Sequence, residues 1–119
     1  MSTHSALGVK LSDGTIVGCY VHYDGSTMLN RVNDFIEKYT ATALVTLIIK
    51  AQKYGGIRSF HSPSDYMDYN SKSETDFLDD GEPYTINEAN WNNDLYGVPY
   101  SYLVDYVTGE VECWKKYDD

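Results

Sequence analysis

Hydrophobic and polar positions alternate with two different periods along the chain. Near the start, Leu7, Val9 and Leu11 are separated by Gly8 and Lys10, and Val17, Cys19, Val21 and Tyr23 by Gly18, Tyr20 and His22. A period of two marks half-buried strands, because successive strand side chains point to opposite faces. Ser12-Asp13-Gly14 suits a three-residue hairpin loop with Gly14 left-handed. That loop pairs Leu11 with Thr15, Val9 with Val17 and Leu7 with Cys19, which gathers the apolar side chains on one face. From Met28 the period lengthens. Met28, Leu29, Val32, Phe35, Ile36 and Tyr39 share one side of a helix that Ser26 or Thr27 can cap. A second helix is predicted from about Thr42 to Tyr54, with Leu44, Leu47, Ile48 and Ala51 inward, Val45 and Ile49 widening the stripe, and Gly55 as its stop.

Tyr100 to Val107 and Glu110 to Tyr117 flank Thr108-Gly109 and read as a second hairpin. A two-residue loop pairs Val104 with Cys113, Tyr106 with Val111 and Tyr100 with Tyr117 on one face, and Leu103 with Trp114 on the other. Both faces then carry large apolar groups, so the face turned away from the helices needs a loop, a second subunit or a ligand over it. Between His61 and Tyr96 the periodicity fails, among Pro63, Gly81, Pro83 and many Ser, Asn and Asp residues. Structureless stretches of that length are uncommon inside compact domains, so short pieces pinned by aromatics are expected there, with a helix candidate over Thr85 to Asn92. The fold expected is α+β: an antiparallel sheet from an N-terminal and a C-terminal hairpin, packed on two helices, within one domain over 1–119 that carries an acidic insert-like segment, 61–96.

The charge sharpens this picture. Of the 18 acids in the chain, nine lie between Asp65 and Asp94 with Lys72 as their only base, so this segment holds −8 of the net −9. A nucleic-acid backbone needs clustered Lys and Arg, so direct binding of DNA or RNA is disfavoured and a basic partner is the complement. Tyr66, Tyr69 and Trp91 stand among the acids Asp76, Asp79 and Asp80, and aromatics are the anchors interfaces use. No apolar run approaches the roughly 20 residues of a membrane span. The first residues lack the basic and apolar regions of a secretory signal, so a cytoplasmic location is expected. Cys19 and Cys113 match no paired metal or redox spacing and read as reduced thiols, each on the core face of its strand.

Little in the chain points to catalysis. His4, His22 and His61 form no i, i+4 or H-x-H pair, and no metal or cofactor is expected. His22-Tyr23-Asp24-Gly25 is the most site-like string, with an imidazole, a phenol and a carboxylate where a strand stops. Asp24-Gly25 is also ordinary turn chemistry. Gly55-Gly56-Ile57-Arg58-Ser59 follows a helix and does not open one, so it reads as a stop and turn and not as a phosphate cradle.

Gly8-Val9, Asp13-Gly14-Thr15 and His22-Tyr23-Asp24-Gly25, followed by an amphipathic stretch closing on Tyr39, Gly56-Ile57-Arg58-Ser59 and an aromatic hairpin with Trp114, stand in a characteristic order. This order resembles a group of small phage-encoded accessory proteins that begin with a strand, a D-G-T turn and a strand ending in H-[WY]-D-G. The resemblance implies a protein made in an infected bacterium that modulates host factors or defence systems, and it carries over no catalytic residues. The function expected is binding of a host protein, basic or itself nucleic-acid-binding, through Tyr66, Tyr69, Asp76, Asp79, Asp80 and Trp91, or through the apolar sheet face with Trp114. One alternative is an oligomer sequestering a nucleotide-like molecule between aromatics such as Tyr20, Tyr23, Tyr102 and Trp114. Another is a small enzyme using His22 and Asp24.

Overall fold

A computed structural model of the chain describes residues 4–23, 28–53, 55–59, 86, 87, 91 and 100–115. Strands β1 (Ser5–Lys10) and β2 (Ile16–Tyr23) form the first hairpin, in the register the alternation predicts: Leu7 pairs with Cys19 and Val9 with Val17. The Leu11 N–H donates to the Thr15 carbonyl at 2.8 Å, and Gly14 turns the chain at a φ of 90°. Asp13 accepts from the Thr15 hydroxyl at 2.7 Å and the Thr15 N–H at 3.0 Å, and these bonds hold its carboxyl below the usual carboxylate range.

Helix α1 (Met28–Tyr39) and helix α2 (Ala41–Gln52) follow, joined through Thr40, whose side chain caps α2 by accepting from the Ala43 N–H. Leu44, Leu47, Ile48 and Ala51 are fully buried, as their spacing predicts. The stripes are narrower than the pattern implied, since Leu29 at 40 % and Ile49 at 46 % exposure face outward. Gly55 and Gly56 take positive φ after α2 and lead into β3 (Ile57–Ser59), a strand where a turn was expected. A Cβ at Gly56 would run into the Tyr20 carbonyl oxygen, so this close approach of the chain to β2 requires glycine.

Strands β4 (Tyr100–Asp105) and β5 (Val111–Lys115) form the second hairpin and complete a five-stranded sheet of order β3-β2-β1-β4-β5. The architecture is α+β, with the helices on one face of the sheet. Each hairpin is antiparallel, but β1 runs parallel to β4 and β2 parallel to β3, so the sheet is mixed where an antiparallel one was expected. The reason is the connections: parallel neighbours need a long crossover, which α1 with α2 supplies between β2 and β3, and the whole chain from β2 to the stretch before β4 supplies between β1 and β4.

The second hairpin is shifted by two residues from the predicted register. Val104 pairs with Val111, Tyr102 with Cys113, Ser101 with Trp114 and Tyr100 with Lys115. Asp105 causes the shift by accepting from the Val107 N–H at 2.8 Å and the Thr108 N–H at 3.0 Å, which widens the loop to Tyr106–Gly109. The Thr108 and Val107 amides, in that order, also hold the Asp105 carboxyl below its ordinary range. A shift of two leaves every side chain on its predicted face; a shift of one would have inverted the strand.

The core has two layers. On the helix face, Leu7, Val9, Cys19, Val21, Tyr102 and Val104 pack with Met28, Val32, Phe35, Leu44, Leu47 and Ile48. On the other face, Ala6, Ile16 and Leu103 pack with Ile86 and Trp91. The need for a cover over that face is therefore met within the chain, by two residues of the acidic segment. Gly8 pairs with Gly18 directly beneath them. A Cβ on Gly8 would lie 2.8 Å from Trp91 Cζ3, and one on Gly18 3.2 Å from the Ile86 Cβ. Two adjacent glycines thus make a trough in the sheet that the two larger side chains fill.

Gly8→Ala is expected to destabilise the fold by about 1 to 3 kcal/mol through overpacking. In a Trp91→Phe background, where the clashing ring atoms are gone, the loss should shrink. Urea unfolding of the four members of this cycle measures the coupling.

Candidate functional site

The two outer ends of the second face carry its polar chemistry. At one end Lys10, Leu103, Asp105, Glu110 and Glu112 line a shallow hollow with three carboxylates and one ammonium. At the other end His4, Tyr20 and His22 meet, and this is the more organised arrangement.

The strand register builds it. Extending the ladder one step beyond Ser5 opposite Val21 sets His4 opposite His22, with Tyr20 diagonal to His4 on the same face. The imidazole centroids of His4 and His22 are 4.8 Å apart, and that of Tyr20 lies 5.4 Å from His4 and 5.9 Å from His22. His4 Nδ1 is 2.8 Å from the His22 carbonyl oxygen and 2.7 Å from Tyr20 Oη, and Tyr20 Oη is 3.2 Å from His22 Nδ1. A carbonyl oxygen only accepts, so His4 Nδ1 carries the proton and donates. Its hydrogen then lies toward oxygen, which leaves the Tyr20 hydroxyl to donate to His22 Nδ1. The one hydrogen on His4 Nδ1 is shared between the His22 carbonyl and Tyr20 Oη, and all three residues are half-buried.

His22 was expected opposite the core face, and it is there. His4, close to the start of the chain, is bound to β2. No metal or catalytic sequence motif marks the pair because its partners are 18 residues apart and meet only across the hairpin. The signal was nonetheless present: the Leu7–Cys19 register, continued outward, pairs the two histidines. Tyr23 closes β2 opposite Ser59. Asp24 lies outside the described residues, as do Tyr66, Tyr69, Asp76, Asp79 and Asp80. The helix candidate over Thr85 to Asn92 lies largely outside them too.

Trp91 and Trp114 part company. Trp91, expected as an interface anchor, is 6 % exposed and packs into this chain's own second layer above Gly8. Trp114 stands on the same face of the edge strand, opposite Ser101, and is 44 % exposed. The aromatics expected to stack on a nucleotide-like ligand do not share a surface: Tyr102 is 1 % exposed in the helix-face core, whereas Tyr20 and Trp114 are on the other face. Burial, and then the neighbouring Cys113 thiol, push the Tyr102 phenol up.

The cysteines also differ from one another. Cys19 is buried, and burial alone pushes its thiol far up. Cys113 was expected to be buried as well but is exposed, because β5 is the edge of the sheet and the helix-face cover reaches Tyr102 without closing over its partner. Neither thiol is in a disulfide. Among the described residues no helix is long and apolar enough to cross a membrane, and no three His, Cys, Asp or Glu side chains are grouped to hold a metal ion. No protein-family model matches the chain, and neither a curated protein nor a solved structure matches it significantly.

A thiol reagent is expected to modify one cysteine per native chain, Cys113, and both only after unfolding without reductant. Peptide mapping of the labelled protein identifies the site, and rapid labelling of Cys19 under native conditions would contradict its burial.

Proposed function

We propose that the chain works as a binding protein, of the phage accessory type its motif order resembles, that docks its acidic aromatic segment onto a basic host protein in the cytoplasm. The observation that carries this reading is the attachment of that segment to the sheet. The Gly18 N–H donates to the Ile86 carbonyl at 2.9 Å and the Ile86 N–H donates to the Gly18 carbonyl at 3.2 Å, while Trp91 fills the trough at Gly8. Asp79, Asp80, Glu82 and Glu88 flank Ile86 closely in sequence. An extended chain advances at most about 3.6 Å per residue, so connectivity bounds how far these carboxylates can lie from Ile86. Charge tethered to a rigid scaffold steers a basic partner into one orientation, whereas charge on a free tail only raises encounter frequency. Direct contact with nucleic acid is disfavoured by the same field. With Trp91 committed to the core, Tyr66, Tyr69 and the exposed Trp114 remain as aromatic anchors for such an interface.

Crosslinking in the producing cells, followed by mass spectrometry, is expected to recover a partner with a basic surface. Association of that partner with the purified chain should slow about tenfold or more in the Asp76→Asn, Asp79→Asn, Asp80→Asn triple variant, with a flatter dependence on salt. The melting temperature of the variant should stay near that of the wild type. Unchanged association would remove the acids from the account.

A further inference from the structure

We infer that the single residue between the two helices is a hinge through which two copies of this chain exchange their N-terminal halves. Thr40 sits at a φ of 94° and a ψ of 160°. That region of backbone space is essentially reserved for glycine, because a Cβ crowds the main chain there, and another residue persists in it only where the surrounding structure imposes it. Here the fold imposes it: one residue must turn the chain so that α1 and α2 both pack on the same face of the sheet.

Nothing in the local sequence requires the turn. From Met28 to Gln52 there is neither glycine nor proline. The bonds on either side of Thr40 already have helical spacing, with its N–H donating to the Ile36 carbonyl at 2.9 Å and the Leu44 N–H donating to its carbonyl at 3.3 Å. A helix continued through Thr40 keeps both and relieves the strained φ. It also moves the Ala43 N–H from the Thr40 hydroxyl, 3.3 Å away, to the Tyr39 carbonyl. The corner is therefore held by tertiary packing against a local preference for one straight helix.

The buried stripes say what must accompany that straight helix. At about 100° per residue, Met28, Val32 and Phe35 fall about 140° around the axis from Leu44, Leu47, Ile48 and Ala51. One sheet face cannot cover both sides. A second copy can: β1, β2 and α1 of each chain pack onto α2, β3, β4 and β5 of the other. The parallel ladders β1–β4 and β2–β3 then form between chains in the registers they have within one. Short hinges under strain favour this kind of exchange, and each dimer relieves two strained residues. The exchange is separate from the reading of the acidic segment as an interface, and either can fail alone.

Sedimentation velocity of the full chain, refolded from urea at rising concentration, tests the exchange. The dimer fraction is expected to grow with the concentration at refolding. In dimers refolded from mixed isotope-labelled and unlabelled chains, filtered Overhauser spectra should place Leu7 against Tyr102 and Val9 against Val104 between chains. Thr40→Gly, which occupies the corner without strain and disfavours the straight helix, should lower the dimer fraction about tenfold or more. Thr40→Ala, which loses the cap on Ala43 but keeps a Cβ, should not lower it. A chain that stays monomeric at every concentration would overturn the proposal, as would a dimer whose Leu7–Tyr102 and Val9–Val104 contacts stay within each chain. An unchanged dimer fraction in Thr40→Gly would remove the hinge strain from the account, and an equal fall in Thr40→Gly and Thr40→Ala would assign the effect to the lost cap; either overturns it too.

Discussion

A strand in the middle of a sheet has two faces to bury, and β1 has partners on both edges as well, with β2 on one side and β4 on the other. Its odd-numbered residues, Leu7 and Val9, press on the helices; its even-numbered ones, Ala6 and Gly8, face a side the helices cannot reach. Apolar surface left to water on that side would cost about 25 cal/mol per Å². The rest of the structure is arranged around this constraint. The chain leaves β3, returns to β4 far along the sequence, and places Ile86 and Trp91 over the uncovered layer on the way. Small residues at Gly8 and Gly18 make room for them.

That solution links the fold to the charge. The residues that cover the second face, Ile86 and Trp91, belong to the part of the sequence that holds −8 of the net charge. Gln52, in the last turn of α2, strengthens the junction by donating to the Gly18 carbonyl at 2.8 Å. The Gly18 backbone thus gathers β2, α2 and the acidic segment at one point. At the far end of the same face the sheet brings the two histidines and Tyr20 together. The second face therefore carries the bridge to Ile86 and the His4–Tyr20–His22 cluster, while the helix side is packed as core.

Local patterns were readable wherever one period ran uninterrupted. The first hairpin could be read to the residue because Leu7, Val9, Cys19 and Val17 leave only one register that keeps the apolar set together. Both helices could be read from their spacing. The second hairpin was misregistered because Thr108-Gly109 looks like a complete turn, and the capping role of the Asp105 carboxylate has no hydrophobic signature. The parallel contact between β1 and β4 is non-local and has no marker in either strand. Trp91 looked like an interface residue because its neighbours in sequence are polar; what decides its burial is a glycine more than eighty positions earlier. The His4–His22 pair follows from the Leu7–Cys19 register continued one step beyond Ser5, but the pair shares no sequence spacing that marks a site.

The central claim is that Trp91 occupies the trough made by Gly8 and Gly18 and thereby fixes the acidic segment to the sheet. Nuclear Overhauser spectroscopy on the native chain tests it most directly. Cross-peaks are expected between the Hζ3 and Hη2 protons of Trp91 and the α-protons of Gly8, together with contacts from its ring to the Ile16 methyl groups. Absence of these cross-peaks, with the Trp91 ring signals at solvent-exposed shifts, would contradict the account.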